Sequence, residues 1–209
     1  MDYSVSSGEI STVIILSRYD GMYISSGGTA NSTTINSRGY MQISSGGTAN
    51  STTINDYGNM YIYSGGVANS TTINSRGSMW ISSGGTADST TINSGGYMTI
   101  SSGGTANNTT INGGGSMYIT SGGTATNIVE NGGYVYIADG AYATFTSNTF
   151  EGFVLSHGGM TVHKNTIANG TTINDWSDMT IYSGGSANST TINDDGYMYI
   201  SFGDRKSVV

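Results

Sequence analysis

The side chains best suited to catalysis or metal binding gather near the carboxyl end of the sequence, where four aspartates occur: Asp175, Asp178, Asp194 and Asp195. Asp175 and Asp194 occupy the same position in two successive copies of a repeat that recurs along the whole chain. Carboxylate oxygens are ligands that Ca²⁺ prefers, so this pair is a candidate for weak Ca²⁺ binding. The alternative, which we favour, is that both are solvated turn residues.

A catalytic site is not indicated by the remaining ionisable residues. Enzymes that cleave polysaccharides need clustered carboxylates with basic partners or a metal, and a nucleophile needs an adjacent base. His157 and His163 have neither a nucleophile nor a third group at a matching spacing. We therefore predict a protein that is not an enzyme and that uses no cofactor, with a carbohydrate-active enzyme as the alternative.

Two recurring positions carry aromatic side chains that can take part in binding. At the first, rings alternate with guanidinium groups from one repeat to the next: Tyr19, Arg38, Tyr57 and Arg76. Neighbours of this kind make cation–π contacts worth about 0.5–1 kcal/mol when exposed, and we favour a structural staple over a binding stripe. The second column is Tyr23, Gln42, Tyr61, Trp80, Thr99, Tyr118 and Tyr136, with Tyr40, Tyr63, Tyr97 and Tyr134 nearby. This column could form a strip that binds sugar rings or another rod. The competing explanation is that Tyr and Trp are frequent in strands.

A third column repeats a hydroxyl and an amide: Thr34/Asn36, Thr53/Asn55, Thr72/Asn74, Thr91/Asn93 and Thr110/Asn112. We expect the amides to satisfy backbone groups at corners of the fold. The alternative is a flat threonine array that matches the lattice of ice.

Composition and charge exclude several classes of protein. The chain has 209 residues, 33 of them glycine, with no proline and no cysteine, and its net charge is −7. Nucleic-acid binding needs a basic surface, and without cysteine there is neither a disulfide framework nor a thiolate metal site. No apolar run is long enough to span a membrane as a helix, and the N-terminus does not read as a signal peptide.

The repeat that positions these side chains has a period of about 19 residues, and a fixed period of this length is typical of a solenoid. Three apolar columns show it, and each continues to the end of the repeats. The first column is Val5, Ile24, Ile43, Ile62, Ile81, Ile100, Ile119, Ile137, Val162, Ile181 and Ile200, and the second is Leu16, Ile35, Ile54, Ile73, Ile92, Ile111, Val129, Val154, Ile173 and Ile192. The third column contains every methionine after the first, with Val135 among them.

Within each repeat the apolar residues alternate with polar ones, so the local structure is strand. Two such stretches are separated by glycine-rich corners of the SSGG and NSRG kinds. The sequence therefore predicts an all-β, single-stranded parallel β-helix of about ten to eleven coils, with right-handed coiling as the default. One coil cannot offset the entropy of ordering its own backbone, so stability comes from stacking.

The organisation along the chain follows from departures from the repeat. Residues 1–21 form a divergent first coil in which Val13, Ile14 and Ile15 replace Ser, Thr and Thr, which is typical of a cap. Regular coils cover 22–137 and 163–201, and 138–162 hold an irregular coil with six inserted residues. Insertions in solenoids often form a binding loop, which makes Phe145, Phe150 and Phe153 interaction candidates, although we favour packing onto the core. Residues 202–209 are a tail, in which Phe202 is expected to form a thin cap.

With its SGGTA…TTIN…GG…I unit, the chain resembles the passenger repeats of AIDA-type self-associating autotransporter adhesins over residues 4–201. The resemblance implies a right-handed parallel β-helix displayed on a Gram-negative cell. The chain departs from the family in that we expect the signal peptide and the translocator to lie outside it. Such passengers carry heptose on Ser and Thr added by a heptosyltransferase. The acceptor candidates here are Ser32, Thr34, Ser51, Thr53, Ser70, Thr72, Ser89, Thr91, Thr110, Ser189 and Thr191.

We therefore predict a non-catalytic, extracellular adhesin passenger fragment. Its partners are expected to be other copies of itself, side by side or end to end, together with host-cell surfaces or glycans and the heptosyltransferase. Its role is then self-association, biofilm formation or cell adhesion. The alternative is a structural spacer or glycosyltransferase acceptor that has no adhesion of its own.

Overall fold

A computed structural model describes residues 1–201 of the chain, and within that range every regular element is a β-strand. No helix long and apolar enough to cross a membrane occurs in the described part of the chain. The strands, numbered in chain order, are β1 (Asp2–Val5), β2 (Ile10–Thr12), β3 (Ile15–Leu16), β4 (Gly21–Ile24), β5 (Thr29–Asn31), β6 (Thr34–Ile35), β7 (Tyr40–Ile43), β8 (Thr48–Asn50), β9 (Thr53–Ile54), β10 (Asn59–Ile62), β11 (Val67–Asn69), β12 (Thr72–Ile73), β13 (Ser78–Ile81), β14 (Thr86–Ile92), β15 (Tyr97–Ile100), β16 (Thr105–Asn112), β17 (Ser116–Ile119), β18 (Thr124–Asn131), β19 (Tyr134–Ile137), β20 (Tyr142–Phe145), β21 (Asn148–Glu151), β22 (Val154–Leu155), β23 (Gly158–Val162), β24 (Thr166–Asn169), β25 (Thr172–Ile173), β26 (Ser177–Ile181), β27 (Ser186–Asn188), β28 (Thr191–Ile192) and β29 (Tyr197–Ile200).

The strands stack as parallel coils, which confirms the predicted β-solenoid of about ten turns. An eight-stranded sheet, which we call the front sheet, runs in the order β1-β4-β7-β10-β13-β15-β17-β19. A twelve-stranded sheet holds the strands from β2 to β20 that are not in the front sheet. Partners in the regular coils pair in strict register, as in Met41 with Met60 and Ile43 with Ile62. At the usual strand spacing the stack is a rod about 50 Å long.

Each regular coil contains one more corner than the sequence predicts. The ANSTTIN segment is bent at the serine, where the backbone enters the left-handed region with φ of 54° at Ser32, 55° at Ser51 and 55° at Ser70. Most coils therefore contain three short strands, whereas β14, β16 and β18 run through the bend. The alternation of the sequence is undisturbed by this bend, which explains why the pattern predicts a two-strand coil.

The core consists of the predicted columns of Met, Ile and Ala, joined by an inward column of threonines that includes Thr52. Two assignments in the second apolar column are wrong. Glu130, and not Val129, pairs with Ile111 and lies in the core, and Leu155 rather than exposed Val154 pairs with Ile173. Glu130 lies one full period of 19 residues after Ile111, so the error there came from a step of 18, whereas Leu155 lies 18 residues before Ile173 and departs from the period.

Glycine at the corners is required by the close approach of neighbouring coils. A Cβ placed on Gly66 would lie 2.4 Å from the carbonyl oxygen of Ile43, and one placed on Gly58 would lie 2.4 Å from that of Ile35. Both neighbours belong to the previous coil, so neither clash can be relieved without opening the stack. The corner therefore has room for the backbone alone.

At the first end of the rod, the divergent coil covers the core only in part. In the first coil Val13 and Ile15 occupy outward positions and are 77% and 63% exposed, so they do not cover the core. Ile14 lies inward and packs against the core cluster. The predicted cap at Phe202 and the tail 202–209 lie outside the described residues.

The inserted residues do not form a loop. The irregular segment contains β20, which pairs with β18 and ends the first block of coils, and β21, which begins a second block by pairing with β24. The apolar residues accordingly form two separate clusters, one from Val5 to Phe145 and one from Phe150 to Ile181. We call the junction between these two blocks the seam.

Buried polar groups join the two blocks at the seam. Glu130 from β18 is fully buried and accepts hydrogen bonds from Thr161 Oγ1 at 2.7 Å and from the backbone N–H of His163 at 2.7 Å. The Nδ1 atom of His163 lies 2.7 Å from Glu130 Oε1. The imidazole stacks between the rings of Phe145 at 4.6 Å and Tyr182 at 4.4 Å. A single carboxylate thus partners three groups from the second block.

We predict that Glu130→Ala lowers the free energy of unfolding by about 3–5 kcal/mol, because it leaves the buried partners of the carboxylate unsatisfied. Urea denaturation followed by circular dichroism measures the loss, and hydrogen exchange should show residues 148–201 opening before the first block. Glu130→Gln keeps an acceptor oxygen and should cost less. The exposed Glu151→Ala serves as a control, with an effect within about 0.5 kcal/mol. A Glu130→Ala protein as stable as wild type would contradict this assignment.

Candidate interaction surfaces

One corner of the solenoid brings together the predicted column of tyrosine and arginine. We call it the corner edge; it consists of the turns that precede the strands of the front sheet and their continuation in the second block: 17–20, 36–39, 55–58, 74–77, 93–96, 112–115, 131–133, 156–159, 174–177 and 193–196. The guanidinium carbon of Arg38 lies 5.7 Å from the ring centre of Tyr19, and that of Arg76 lies 5.2 Å from that of Tyr57. Arg38 also donates a hydrogen bond to the Tyr19 hydroxyl.

These corner residues adopt a backbone conformation that is uncommon for large side chains. The φ angles are 72° at Tyr19, 68° at Arg38, 66° at Tyr57 and 60° at Arg76, whereas the next coils place Gly95 and Gly114 at the same position. The left-handed conformation costs roughly 1–2 kcal/mol for a residue with a Cβ. The cation–π contacts offset part of that cost, which supports the stapling role predicted for this column.

Charge is distributed unevenly along the corner edge. Three of the four arginines of the sequence, Arg18, Arg38 and Arg76, lie on its first four turns. The last two turns carry the aspartates Asp175, Asp194 and Asp195 and contain no lysine or arginine. Glycine dominates the turns between them. The first turns also hold Asp20 and Asp56, the latter 3.7 Å from Arg76. The edge therefore has a basic, tyrosine-rich end and an acidic end.

The outer face of the front sheet carries the predicted aromatic strip. Tyr61 stacks on Trp80 with ring centres 4.9 Å apart, and the Tyr97 ring meets Trp80 edge-on at 5.3 Å. Tyr118 contacts Tyr134 at 6.0 Å and Tyr136 at 6.3 Å. These rings lie side by side across neighbouring strands, so the sequence prediction places them correctly.

A hydrogen-bonded tyrosine pair begins this strip. The ring of Tyr40 crosses Gly21, where a Cβ would lie 2.6 Å from it, and meets the ring of Tyr23 at 5.7 Å in an edge-to-face arrangement. The two hydroxyl groups are hydrogen-bonded to one another. This hydrogen bond raises the pKa of Tyr40 to about 12, because the bond favours the protonated phenol.

The asparagine columns are not used as the sequence predicts. Instead of satisfying the backbone, each amide Nδ2 donates to the Oδ1 of the asparagine one coil earlier, at 2.6–3.0 Å. The longest such ladder runs through Asn36, Asn55, Asn74, Asn93, Asn112 and Asn131. A side-chain amide can both donate and accept, so a column of identical residues forms a continuous chain of hydrogen bonds. The ladder ties the coils together in parallel with the backbone.

The predicted acceptor hydroxyls fall into two classes of exposure. Serines at the bend are exposed, namely Ser32, Ser51, Ser70, Ser89 and Ser189. Threonines of the following strand are half-buried in the regular coils, namely Thr34, Thr53, Thr72, Thr91 and Thr110, while Thr191 is exposed. The bend serine therefore presents its hydroxyl most openly.

Two of the phenylalanines proposed as interaction candidates are not available to a partner. Phe145 and Phe150 are buried, because β20 and β21 place them in the two cores. Phe153 is half-buried and lies over the glycines of two earlier turns. A Cβ on Gly113 would meet its ring at 2.1 Å, and one on Gly132 would meet it at 3.0 Å. The favoured interpretation, packing onto the body of the rod, accounts for this segment.

The candidate metal and catalytic residues are not brought into a compact site. Asp175 and Asp194 line an open groove on the corner edge together with His157. Within residues 1–201 no group of three or more His, Cys, Asp or Glu side chains could hold a metal ion. His163 does have a carboxylate partner, Glu130, which sequence reasoning missed because Glu130 was counted outside the core column. The regular step of 19 residues from Ile111 reaches Glu130, and this was the signal that could have placed the carboxylate inward.

Comparisons with known proteins agree with the repeat pattern. A family model described as "Adhesin of bacterial autotransporter system, probable stalk", AIDA, matches residues 55–96. A solved structure of a TibC-catalyzed hyper-glycosylated TibA fragment matches with a TM-score of 0.55 and 28% identity, covering 99% of this chain and 93% of that one. No curated protein matches the sequence. Together these similarities confirm the resemblance to AIDA-type adhesin passenger repeats and support an autotransporter adhesin passenger.

We predict that Tyr40 titrates with a pKa of about 12 and that Tyr23→Phe moves it toward the ordinary value near 10. Because the folded-state pKa is raised, the stabilisation from this pair is complete below the unfolded pKa and is lost as pH rises through the folded pKa. NMR of protein with carbon-13 at tyrosine Cζ resolves the titration. Tyr19→Phe, on the corner edge, is the control and should leave Tyr40 unchanged. A wild-type Tyr40 that titrates near 10 would refute the shared hydrogen bond.

Proposed function

We propose that this chain is a non-catalytic passenger fragment displayed outside the cell, and that it acts by self-association between copies, in biofilm formation or cell adhesion. The observation that carries the proposal is the separation of charge along the corner edge. Arg18, Arg38 and Arg76 lie toward one end, and Asp175, Asp194 and Asp195 lie at the other. When two copies run in opposite directions, the basic end of each edge meets the acidic end of the other. The edge therefore favours pairing of two copies in antiparallel orientation.

Antiparallel pairing brings the opposite charges together twice. A two-fold axis near the glycine turns at Gly95 and Gly114 places the first coils of one copy against the last coils of the other. Arg18 then faces the turn of Asp194, and Arg38 faces the turn of Asp175. Such an interface uses the same patch on both copies, as is usual for symmetric dimers.

Association of this kind is expected to be weak and sensitive to salt. Arg38 and Asp175 are exposed, and exposed ion pairs contribute only about 0–1 kcal/mol each. Screening over a Debye length of about 8 Å at physiological ionic strength reduces them further. Many copies on facing cell surfaces compensate for weak single contacts, because avidity multiplies them. A weak, repeated contact of this kind suits an adhesin that joins cells reversibly.

Charge reversal tests the pairing. We predict that Arg18→Asp with Arg38→Asp makes both ends acidic and abolishes dimers, and that Asp175→Arg with Asp194→Arg makes both ends basic and has the same effect. An equimolar mixture of the two variants should dimerise again, because each then faces opposite charge. Sedimentation velocity over a range of protein and salt concentrations measures the association.

The matched control is Asp88→Arg, which changes the charge by the same amount per site away from the corner edge. It should leave the dimer intact. A wild-type chain that stays monomeric at all concentrations would overturn the self-association proposal and leave the role of a spacer. Dimers that survive both reversals would show that the corner edge is not the interface.

We also propose that a glycosyltransferase modifies this chain with O-linked sugar, heptose by resemblance to the family, on the serines at the bend. The support is the exposure of Ser32, Ser51, Ser70 and Ser89, together with the glycosylated state of the similar TibA fragment. A hydroxyl held on a protruding left-handed corner is accessible to an enzyme, whereas Thr53 is partly covered by its neighbours. Acceptor choice then follows exposure.

Co-expression with TibC and peptide mass spectrometry test this proposal. We predict that occupancy is highest at the bend serines and at least several-fold lower at Thr34, Thr53, Thr72, Thr91 and Thr110. Asn108 and Asn127 occupy the bend in later coils, so these coils should carry less sugar. Replacing Asn108 by Ser should create a new site. Equal occupancy of bend serines and strand threonines would contradict the exposure argument.

A further inference from the structure

We propose that the outer face of the front sheet binds a neutral polysaccharide. This binding surface is distinct from the corner edge that we assign to self-association, and it does not depend on that assignment. Its residues point away from the core between β4 and β19. We call this surface the aromatic face.

The aromatic face carries no charge along its length. Its outward residues are Gly21, Tyr23, Tyr40, Gln42, Asn59, Tyr61, Ser78, Trp80, Tyr97, Thr99, Ser116, Tyr118, Tyr134 and Tyr136. More than half are aromatic, and all but Gly21 and the rings bear an amide or hydroxyl. In a chain with a net charge of −7, a long uncharged surface does not favour either a polyanion or a basic partner. It favours a partner that is itself neutral.

The rings occur in three clusters. The first is Tyr23 with Tyr40, and the second joins Tyr61, Trp80 and Tyr97 with the neighbouring Tyr63. The third is Tyr118, Tyr134 and Tyr136. The plane of the Tyr118 ring makes an angle of 52° with that of Tyr134 and 43° with that of Tyr136. Tyr63 and Tyr118 are each 39% exposed and Tyr136 is 40% exposed, so every part of the strip offers aromatic surface to solvent except where rings cover one another.

Small polar residues separate the clusters. Gln42 and Asn59 lie between the first and second, and Thr99 and Ser116 lie between the second and third. The cluster centres are about two and a half strand spacings apart, which is roughly 12 Å. The face therefore alternates aromatic ridges with shallow hydrogen-bonding stretches along the axis of the rod.

A neutral polysaccharide has the chemistry that this alternation recognises. Sugar rings present C–H surfaces that pack on aromatic side chains, and their hydroxyls bond to amides and hydroxyls. Tyr and Trp side chains suit such mixed contacts, because the ring is apolar whereas the O–H or N–H group forms hydrogen bonds. A linear chain of sugars can extend along the rod and contact successive ridges. An ionic partner would leave its charges unpaired on this face, which costs binding free energy.

The repeat itself supplies substitutions that preserve the fold. Tyr61→Gln, Trp80→Thr and Tyr97→Ser each install a residue that already occupies the same outward column in an adjacent coil: Gln42, Thr99 and Ser78. Replacing all three aromatic side chains leaves Tyr63 as the one remaining ring of the central cluster and does not touch the core. Tyr118→Thr removes a ring from the third cluster by the same logic. Thermal unfolding by circular dichroism verifies that each variant is folded.

Affinity electrophoresis of the whole chain tests the proposal. Native gels contain hydroxyethyl cellulose, dextran or yeast mannan as neutral probes, and alginate or heparin as anionic ones. We expect at least one neutral polysaccharide to retard the wild-type chain and the triple variant to lose at least tenfold in affinity. Tyr118→Thr should lose several-fold. Trp176→Ala and Tyr57→Ala remove exposed rings from the corner edge and should bind as wild type does.

Fluorescence gives a second measurement. The chain has two tryptophans, so Trp176→Phe leaves Trp80 as the sole reporter, and its emission should change as a retarding polysaccharide is titrated in. Retardation only by alginate or heparin, retardation equal in the triple variant, or no retardation by any neutral probe would overturn the proposal. Charge-reversal variants that no longer self-associate should still bind the polysaccharide, which separates failure of this proposal from failure of the self-association proposal.

Discussion

The backbone hydrogen bonds between successive coils are the constraint on which the whole structure depends. They continue through the corners as well as the strands: Gly46 N–H donates to the Gly65 carbonyl at 2.9 Å, and Arg76 N–H donates to that of Gly95 at 2.8 Å. A proline at such a position would remove a donor, and the chain has none. Because the ladder fixes register, each residue lies above its counterpart in the neighbouring coil. Asparagine ladders, stacked rings and cation–π pairs are consequences of this register.

The fold could be predicted from the sequence because the same inference is repeated in every coil. Met41, Ile43 and Ile54 each belong to a column whose other members have the same burial, so a single misjudged residue does not change the result. The bend at Ser51 was not predictable from alternation alone, because a positive φ at serine leaves the inward and outward pattern intact. The asparagine ladder was mispredicted for a related reason. Local pattern does not reveal that an amide finds its partner one coil away in the stack.

The candidate surfaces were predicted to different extents. Tyr61 and Trp80 were placed on one face because period-two alternation settles their direction, and their stacking follows from the strand spacing. The seam could not be predicted, since Glu130 and His163 lie on either side of the insertion that breaks the period. Packing of Phe145 and Phe150 onto the core was favoured from the sequence, but the strands that bury them were not foreseen. Their burial depends on β20 and β21 becoming strands, whereas an insertion in a solenoid is ordinarily a loop.

The seam gives the rod a defined mechanical weak point. A tether pulled along its axis transmits the same force through each junction between coils, so it parts at the junction with the fewest bonds. Within the first block each junction is spanned by continuous ladders, whereas between the blocks the sheets stop and the two cores separate. The load there is borne by the polar contacts around Glu130, the stacking of His163 on Phe145 and the packing of Phe153 over Gly113. Tension would therefore divide the rod into two preformed pieces, each of which keeps its own stack and can close again when the force is released.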